Sequence, residues 1–162
     1  MKKYIVALIT AFVLMGCTNT DAVRVENDLT NGHSQGKYSK DGKRDGEWYG
    51  IYNDGIVAYV GFYNNGVLHG EYNAYYNDGK IKERGRYSEN GKKIGEWIEY
   101  YNNGGISKLT HYSENGDKDI ILYRNDGKVL ETRKESDDKI SGLTYKYDEN
   151  GNFIGREHFG VE

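Results

Sequence analysis

The chain has 162 residues and a formal net charge of −3, from 22 basic and 25 acidic side chains. With no basic excess it lacks the face that phosphate-backbone binding requires, which argues against a nucleic-acid partner. Its one cysteine rules out an internal disulfide and a cysteine-based zinc site. Its 22 glycines come without a single proline, so it reads as a chain of many tight turns needing positive φ and not as a linker. Hydrophobic residues make up 36%, and 16 tyrosines supply much of the apolar surface.

Lys2 and Lys3 form a short positive segment, and Tyr4 to Leu14 is almost entirely apolar. As a helix that run spans roughly 16 Å, too short for a hydrocarbon core of roughly 30 Å, so it reads as the helix of a signal peptide. Leu14-Met15-Gly16-Cys17 follows. It resembles the lipobox of bacterial lipoproteins, with a small residue before the scissile bond and a thiol as lipid acceptor. The resemblance implies cleavage before Cys17, acylation of its thiol and new amine, and a membrane-anchored lipoprotein outside the cytoplasm. In a host with two membranes, Thr18 after the cysteine implies the outer one. Two or three acyl chains anchor stably where one is marginal. The expected organisation is a signal peptide over 1–16, the lipidated Cys17 with a flexible tether over 17–35, and one domain over 36–162.

Self-similarity decides the expected fold. Asn53-Asp54-Gly55, Asn77-Asp78-Gly79, Asn102-Asn103-Gly104, Asn125-Asp126-Gly127 and Glu149-Asn150-Gly151 recur at about 24 residues. Two residues after each turn glycine stands an apolar residue: Val57, Ile81, Ile106, Val129 and Phe153. Eight residues after it stand Tyr63, Tyr87, Tyr112, then Glu135 as the exception, and Phe159. Second turns lie at Asn64-Asn65-Gly66, Ser88 to Gly91 and Ser113 to Gly116, with a leading half-unit at Tyr38 to Gly42. Runs of about seven residues rich in Tyr, Trp, Ile and Val favour strands, and Asn-Gly or Asp-Gly favours hairpin turns. The prediction is all-β: an antiparallel hairpin meander of about ten strands in about five 24-residue units, with no helix after the signal segment. One hairpin is marginal in water, so the units must stack to be stable.

The fourth unit departs from the others. Lys118 stands where they have glycine, Arg124 where they have a ring, and Thr132 to Lys139 carries charge where an aromatic is expected. A charged edge that blocks aggregation and a partner-binding insertion both fit this.

The aromatic columns are the candidate binding residues: Trp48, Tyr52, Tyr72, Tyr76, Trp97 and Tyr101. They read either as packing side chains or as an exposed platform that stacks on sugars or quaternary ammonium groups. His33, His69, His111 and His158 have no recurrent ligand partner, and the Asn-Asp-Gly turns lack the alternating acids of an EF-hand loop. No nucleophile motif or isolated carboxylate pair stands out from the repeat, so neither enzymatic activity nor a metal or other cofactor is expected.

Gly-Glu-Trp-x-x-Tyr-Tyr-Asn-Asn-Gly over Gly95 to Gly104, and Tyr-Ser-Glu-Asn-Gly over Tyr112 to Gly116, resemble the MORN-repeat variant family; the best unit runs from Gly70 to Gly95. The resemblance covers residues 36 to about 159 and implies an elongated twisted sheet. Bacterial members are often described as antitoxin components of toxin–antitoxin systems, and eukaryotic relatives as membrane-associated scaffolds. Three roles are therefore expected to compete: an anchored scaffold for an envelope protein, an antitoxin or immunity protein neutralising a toxin, and a carbohydrate or cell-wall module. Choline-binding wall repeats also use Trp, Tyr and Gly hairpins, in shorter units. Exposed terminal strands would allow edge-to-edge homo-oligomers.

Overall fold

The computed structural model describes residues 23–28, 32–136 and 139–159. The signal segment and Cys17 lie outside the described residues. Twelve strands form one sheet in strict chain order: β1 (Val23–Asp28), β2 (Gly32–Tyr38), β3 (Arg44–Ile51), β4 (Val57–Asn64), β5 (Val67–Tyr75), β6 (Ile81–Tyr87), β7 (Lys93–Tyr100), β8 (Ile106–Tyr112), β9 (Lys118–Tyr123), β10 (Val129–Ser136), β11 (Lys139–Tyr147) and β12 (Phe153–Phe159). Every pairing is antiparallel, so the described part is an all-β hairpin meander. The sheet begins earlier than expected. β1 and most of β2 fall in the segment read as tether, because β2 carries Ser34 and Gly36 in register with Gly50 and Trp48 of β3.

Eight of the connections share one geometry. The first turn residue donates its N–H to the carbonyl four residues on, and the glycine three residues on donates back to the first. Those glycines have positive φ, for example +86° at Gly55 and +81° at Gly79. A type I turn closed by a left-handed glycine needs this backbone, so the Asn/Asp-Gly pattern is a consequence of turn geometry. Asp54, Asp78 and Asp126 strengthen it by accepting the N–H two residues on, at 3.0–3.2 Å. The β4–β5 hairpin is tighter: only Asn65 and Gly66 intervene, both at positive φ.

Two kinds of bulge recur. Near the Asn-Asp-Gly turns one residue is extra on the second strand: Ala58, Lys82, Ser107, Leu130 and Ile154. Past the second turns two residues are extra: Gly46-Glu47, Gly70-Glu71, Gly95-Glu96 and Gly142-Leu143. The glycine of each pair has φ between +62° and +74° with open space where a Cβ would stand, so backbone conformation and not room selects glycine there.

β9 lacks this second bulge. It pairs with β8 without a register shift, Lys118 stands opposite Tyr112 as Lys93 stands opposite Tyr87, and Asp119 runs straight on to Ile120. The fourth unit has therefore not exchanged glycine for lysine; it has lost the two-residue Gly-Glu insert. The loss is silent to the side-chain alternation, because removing two residues returns every later side chain to its own face.

Candidate binding surfaces

The two faces of the sheet differ in kind. Among the described residues every buried one lies on one face: Ser34, Gly36, Trp48, Gly50, Gly61, Trp97, Thr110, Ile120 and Thr144. The register joins them in a row from strand to strand, Gly36–Trp48–Gly61–Tyr72–Gly85 and then Trp97–Thr110–Ile120–Arg133. A glycine beneath each ring explains how a single sheet buries tryptophan. A Cβ on Gly36 would lie 2.4 Å from Trp48, and one on Gly85 2.2 Å from Trp97, so the indoles lie flat on bare backbone.

The sides and top are closed by neighbours. Tyr38 and Tyr63 pack edge-on against Trp48 with centroids 5.0 and 6.2 Å away, and the Arg44 guanidinium caps its ring at 4.3 Å. Tyr87 and Tyr112 repeat this around Trp97 at 5.0 and 6.4 Å, with Lys93 Nζ 3.7 Å from the ring centroid. The indole N–H groups donate to the carbonyls of Lys37 (3.0 Å) and Arg86 (3.1 Å). Trp48 is 0% exposed and Trp97 2%. Each such burial contributes about 2–3 kcal/mol, and neither ring presents a free face.

Tyr72 shares the row but is half-buried. Burial, and next the negative charge of Glu83, push its phenol well above the ordinary range; Tyr87 is raised by the same two causes.

Tyr52, Tyr76 and Tyr101 do something else. They stand at the turns, and their hydroxyls donate to the carbonyls of Tyr75 (2.7 Å), Tyr100 (2.5 Å) and Tyr123 (2.6 Å), each in the next hairpin. The six predicted aromatics thus divide into three packing rings and three stitches between hairpins. Arg124 continues the second series: its Nη2 donates to the Tyr147 carbonyl at 2.5 Å. In sequence alone Arg124 stands where the other units have a ring. Only the position, immediately before Asn-Asp-Gly, carries the signal that a long donor is wanted there.

The charged stretch after Thr132 also resolves. Arg133 takes the row position held by glycine in β2, β4 and β6 and by Thr110 in β8. Its guanidinium bonds Glu131 (2.7 Å) and Glu135 (3.0 Å), and Lys118 Nζ lies 3.7 Å from Glu135. Glu135 occupies the tyrosine column but serves this half-buried ion cluster.

The opposite face is open. Val60, Asn73, Arg84, Ile98, Leu109, Ile121, Thr132 and Tyr145 run in register across it. Flanking them are exposed apolar and charged side chains such as Phe62, Arg86, Ile94 and Lys134. A groove of about 480 Å³ spans β5 to β7 and is lined by Asn73, Arg84, Arg86, Ile94 and Ile98 with the carboxylates of Glu71 and Glu96. Arg86 lies 3.4 Å from Glu71. Nearby, Tyr49 donates to Glu47; that hydrogen bond first, and then burial, push its phenol up to about 12.

Among the described residues no three His, Cys, Asp or Glu side chains are grouped to hold a metal ion. His69 faces Glu89 at 3.7 Å, and His111 and His158 are exposed on the open face. No described helix is long and apolar enough to cross a membrane. No family model matches the chain, and no curated protein matches it either.

Proposed function

We propose that this chain is a non-catalytic lipoprotein of the MORN-repeat type, anchored through Cys17, that presents its open sheet face to a protein partner in the cell envelope. In this reading the domain is a stack of about five 24-residue hairpin units. The observation that carries it is the difference between the faces. One is filled by rings lying on glycine backbone and is used up by packing. The other leaves Phe62, Ile94, Arg84 and Arg86 exposed around a groove. Repeat scaffolds bind through such extended faces. The burial of Trp48 and Trp97 speaks against a sugar-stacking platform, which needs open ring faces.

The test is crosslinking and pull-down of the full-length protein from its own envelope, comparing the natural chain with Arg84→Glu and Ile98→Asp. A single protein recovered in near-equal amount, and lost in the open-face variants, is the expected result. If only wall glycan is recovered, or if the variants capture the same protein as well as the natural chain, the reading fails. Should the captured protein prove toxic, the partner is a toxin and the chain its neutraliser.

A further inference from the structure

The strongest unassigned feature is the sheet's last strand. Among the described residues nothing pairs with the outer edge of β12, and it carries the two most exposed large apolar side chains, Phe153 at 56% and Ile154 at 63%, with Phe159 exposed as well. Such an edge offers a row of free N–H and C=O groups.

The charges along β12 are not balanced. Glu157 lies on the packed face and is paired with Lys146 at 2.7 Å. Arg156 stands on the open face, opposite Tyr145, with no ion-pair partner among the described residues. The open-face side of this edge therefore runs from apolar Ile154 to positive Arg156 and on to His158, while Phe159 caps the same end on the packed face.

We propose that β12 takes an extended strand of another protein by sheet addition, the incoming strand carrying Asp or Glu opposite Arg156 and apolar residues beside Ile154 and Phe159. This deepens the scaffold reading and rests on it.

A second copy of the chain fits poorly. Two β12 strands related by a twofold axis must pair residues of the same face, so the axis passes through a residue. Centred on Arg156, the pairing sets Arg156 against itself; centred on Glu157, it sets Glu157 against itself. Directly opposed like charges are destabilising. Centred on Gly155, it leaves Phe159 outside the ladder. The central charge that keeps copies apart is the one that selects an acidic strand.

Distance from the anchor suits this role. Across twelve strands spaced about 4.8 Å apart, β12 lies about 50 Å along the sheet from β1, the strand nearest Cys17. The edge on offer is the one farthest along the chain from the lipid.

A displayed library of random peptides, selected on the full-length protein, tests the proposal. The expected winners carry an Asp or Glu with an apolar residue two positions away on one side and three positions away on the other. They slow amide exchange in β12, and N-methylation of alternate peptide bonds abolishes their binding. Arg156→Glu should weaken them by about fivefold or more, with Arg156→Lys restoring most of it. Arg156 is exposed, so both variants should fold, and amide exchange elsewhere in the sheet checks this. No selected peptide, winners that protect β5 to β7 instead, or indifference to Arg156→Glu overturns the proposal. A concentration-dependent dimer abolished by Ile154→Lys also overturns it and makes a second copy the occupant. If β12 fails while envelope crosslinking through Arg84 and Ile98 succeeds, the scaffold reading stands and the strand-addition proposal alone is lost.

Discussion

The stretch from β2 to β7 and the stretch from β8 to β11 build the same sheet from different materials. In the first, a glycine floor carries an aromatic ring: Gly36 under Trp48, Gly61 beside Tyr72, Gly85 under Trp97. In the second, Thr110 stands beside Ile120, and Arg133 lies beside Ile120 and under its own pair of glutamates. A large residue meets a small one in the first stretch, and medium meets medium in the second. The row stays filled because packing constrains summed volume more than identity. The stitch survives in the same way, with the Arg124 guanidinium taking the place of a tyrosine hydroxyl. What differs is the source of burial. The first stretch relies on rings, and the second holds charge inside, where removing one partner leaves the others unpaired.

That comparison can be broken most severely at the missing bulge. Inserting Gly-Glu between Asp119 and Ile120 should be tolerated with a change of about 1 kcal/mol or less, since it restores the arrangement of β5 and β7. Inserting a single glycine at the same point turns Ile120 to the open face and should abolish the cooperative unfolding transition. Circular dichroism melts of the two insertions distinguish these outcomes; equal effects would remove the deletion from the account.

Next in size is truncation of a ring. Trp97→Ala should destabilise by about 3–5 kcal/mol in denaturant unfolding. Gly85→Thr alone should cost about 1–3 kcal/mol by driving a side chain into the indole. Combined with Trp97→Ile, which copies the Thr110–Ile120 pair, Gly85→Thr should cost less than it does alone. Strict additivity would sink the volume argument.

Smaller again are the stitches. Tyr76→Phe should cost about 0.5–1.5 kcal/mol, as one hydroxyl–carbonyl bond is lost. Arg124→Met should cost more, about 1.5–3 kcal/mol, because its donor is charged. The reverse order in melting experiments would mean that Arg124 is not a stitch.

The smallest effect is on alkaline stability. Burial raises the Tyr72 and Tyr87 phenols above their ordinary value of 10.0, so the folded chain holds protons that the unfolded chain releases. Their contribution is complete below about pH 10 and is lost as pH rises beyond it. Tyr72→Phe should flatten the fall of stability above pH 10, read from melts across that range. An unchanged slope would show that Tyr72 ionises as freely in the sheet as in the unfolded chain.

Much of this was legible in the residues. Asn/Asp-Gly spacing marks the turns because a left-handed residue is demanded there, and the alternating Tyr, Trp and Ile mark the strands between. Three things were not legible. Counting back from the turn at Gly127 places Lys118-Asp119 over Gly-Glu, so a two-residue deletion looks like a substitution until the strand partners are seen. Both faces carry rings in β3 and β7, so alternation alone does not say which face is closed; the glycines on the neighbouring strand decide it, and they are distant in sequence. Arg124 differs from tyrosine in every bulk property but shares a long reach ending in a donor, a likeness visible only once the acceptor carbonyl of Tyr147 is in place.

The most direct test of the central claim, that one face is sealed by packing and recognition belongs to the other, uses the protein's only two tryptophans, Trp48 and Trp97. Acrylamide quenching of the full-length protein should leave their fluorescence shielded and blue-shifted until the chain unfolds, and wall fragments should not alter it. Quenching at the rate of a free indole in the folded protein, or an emission change on adding wall glycan, would place open rings on the surface and contradict the account.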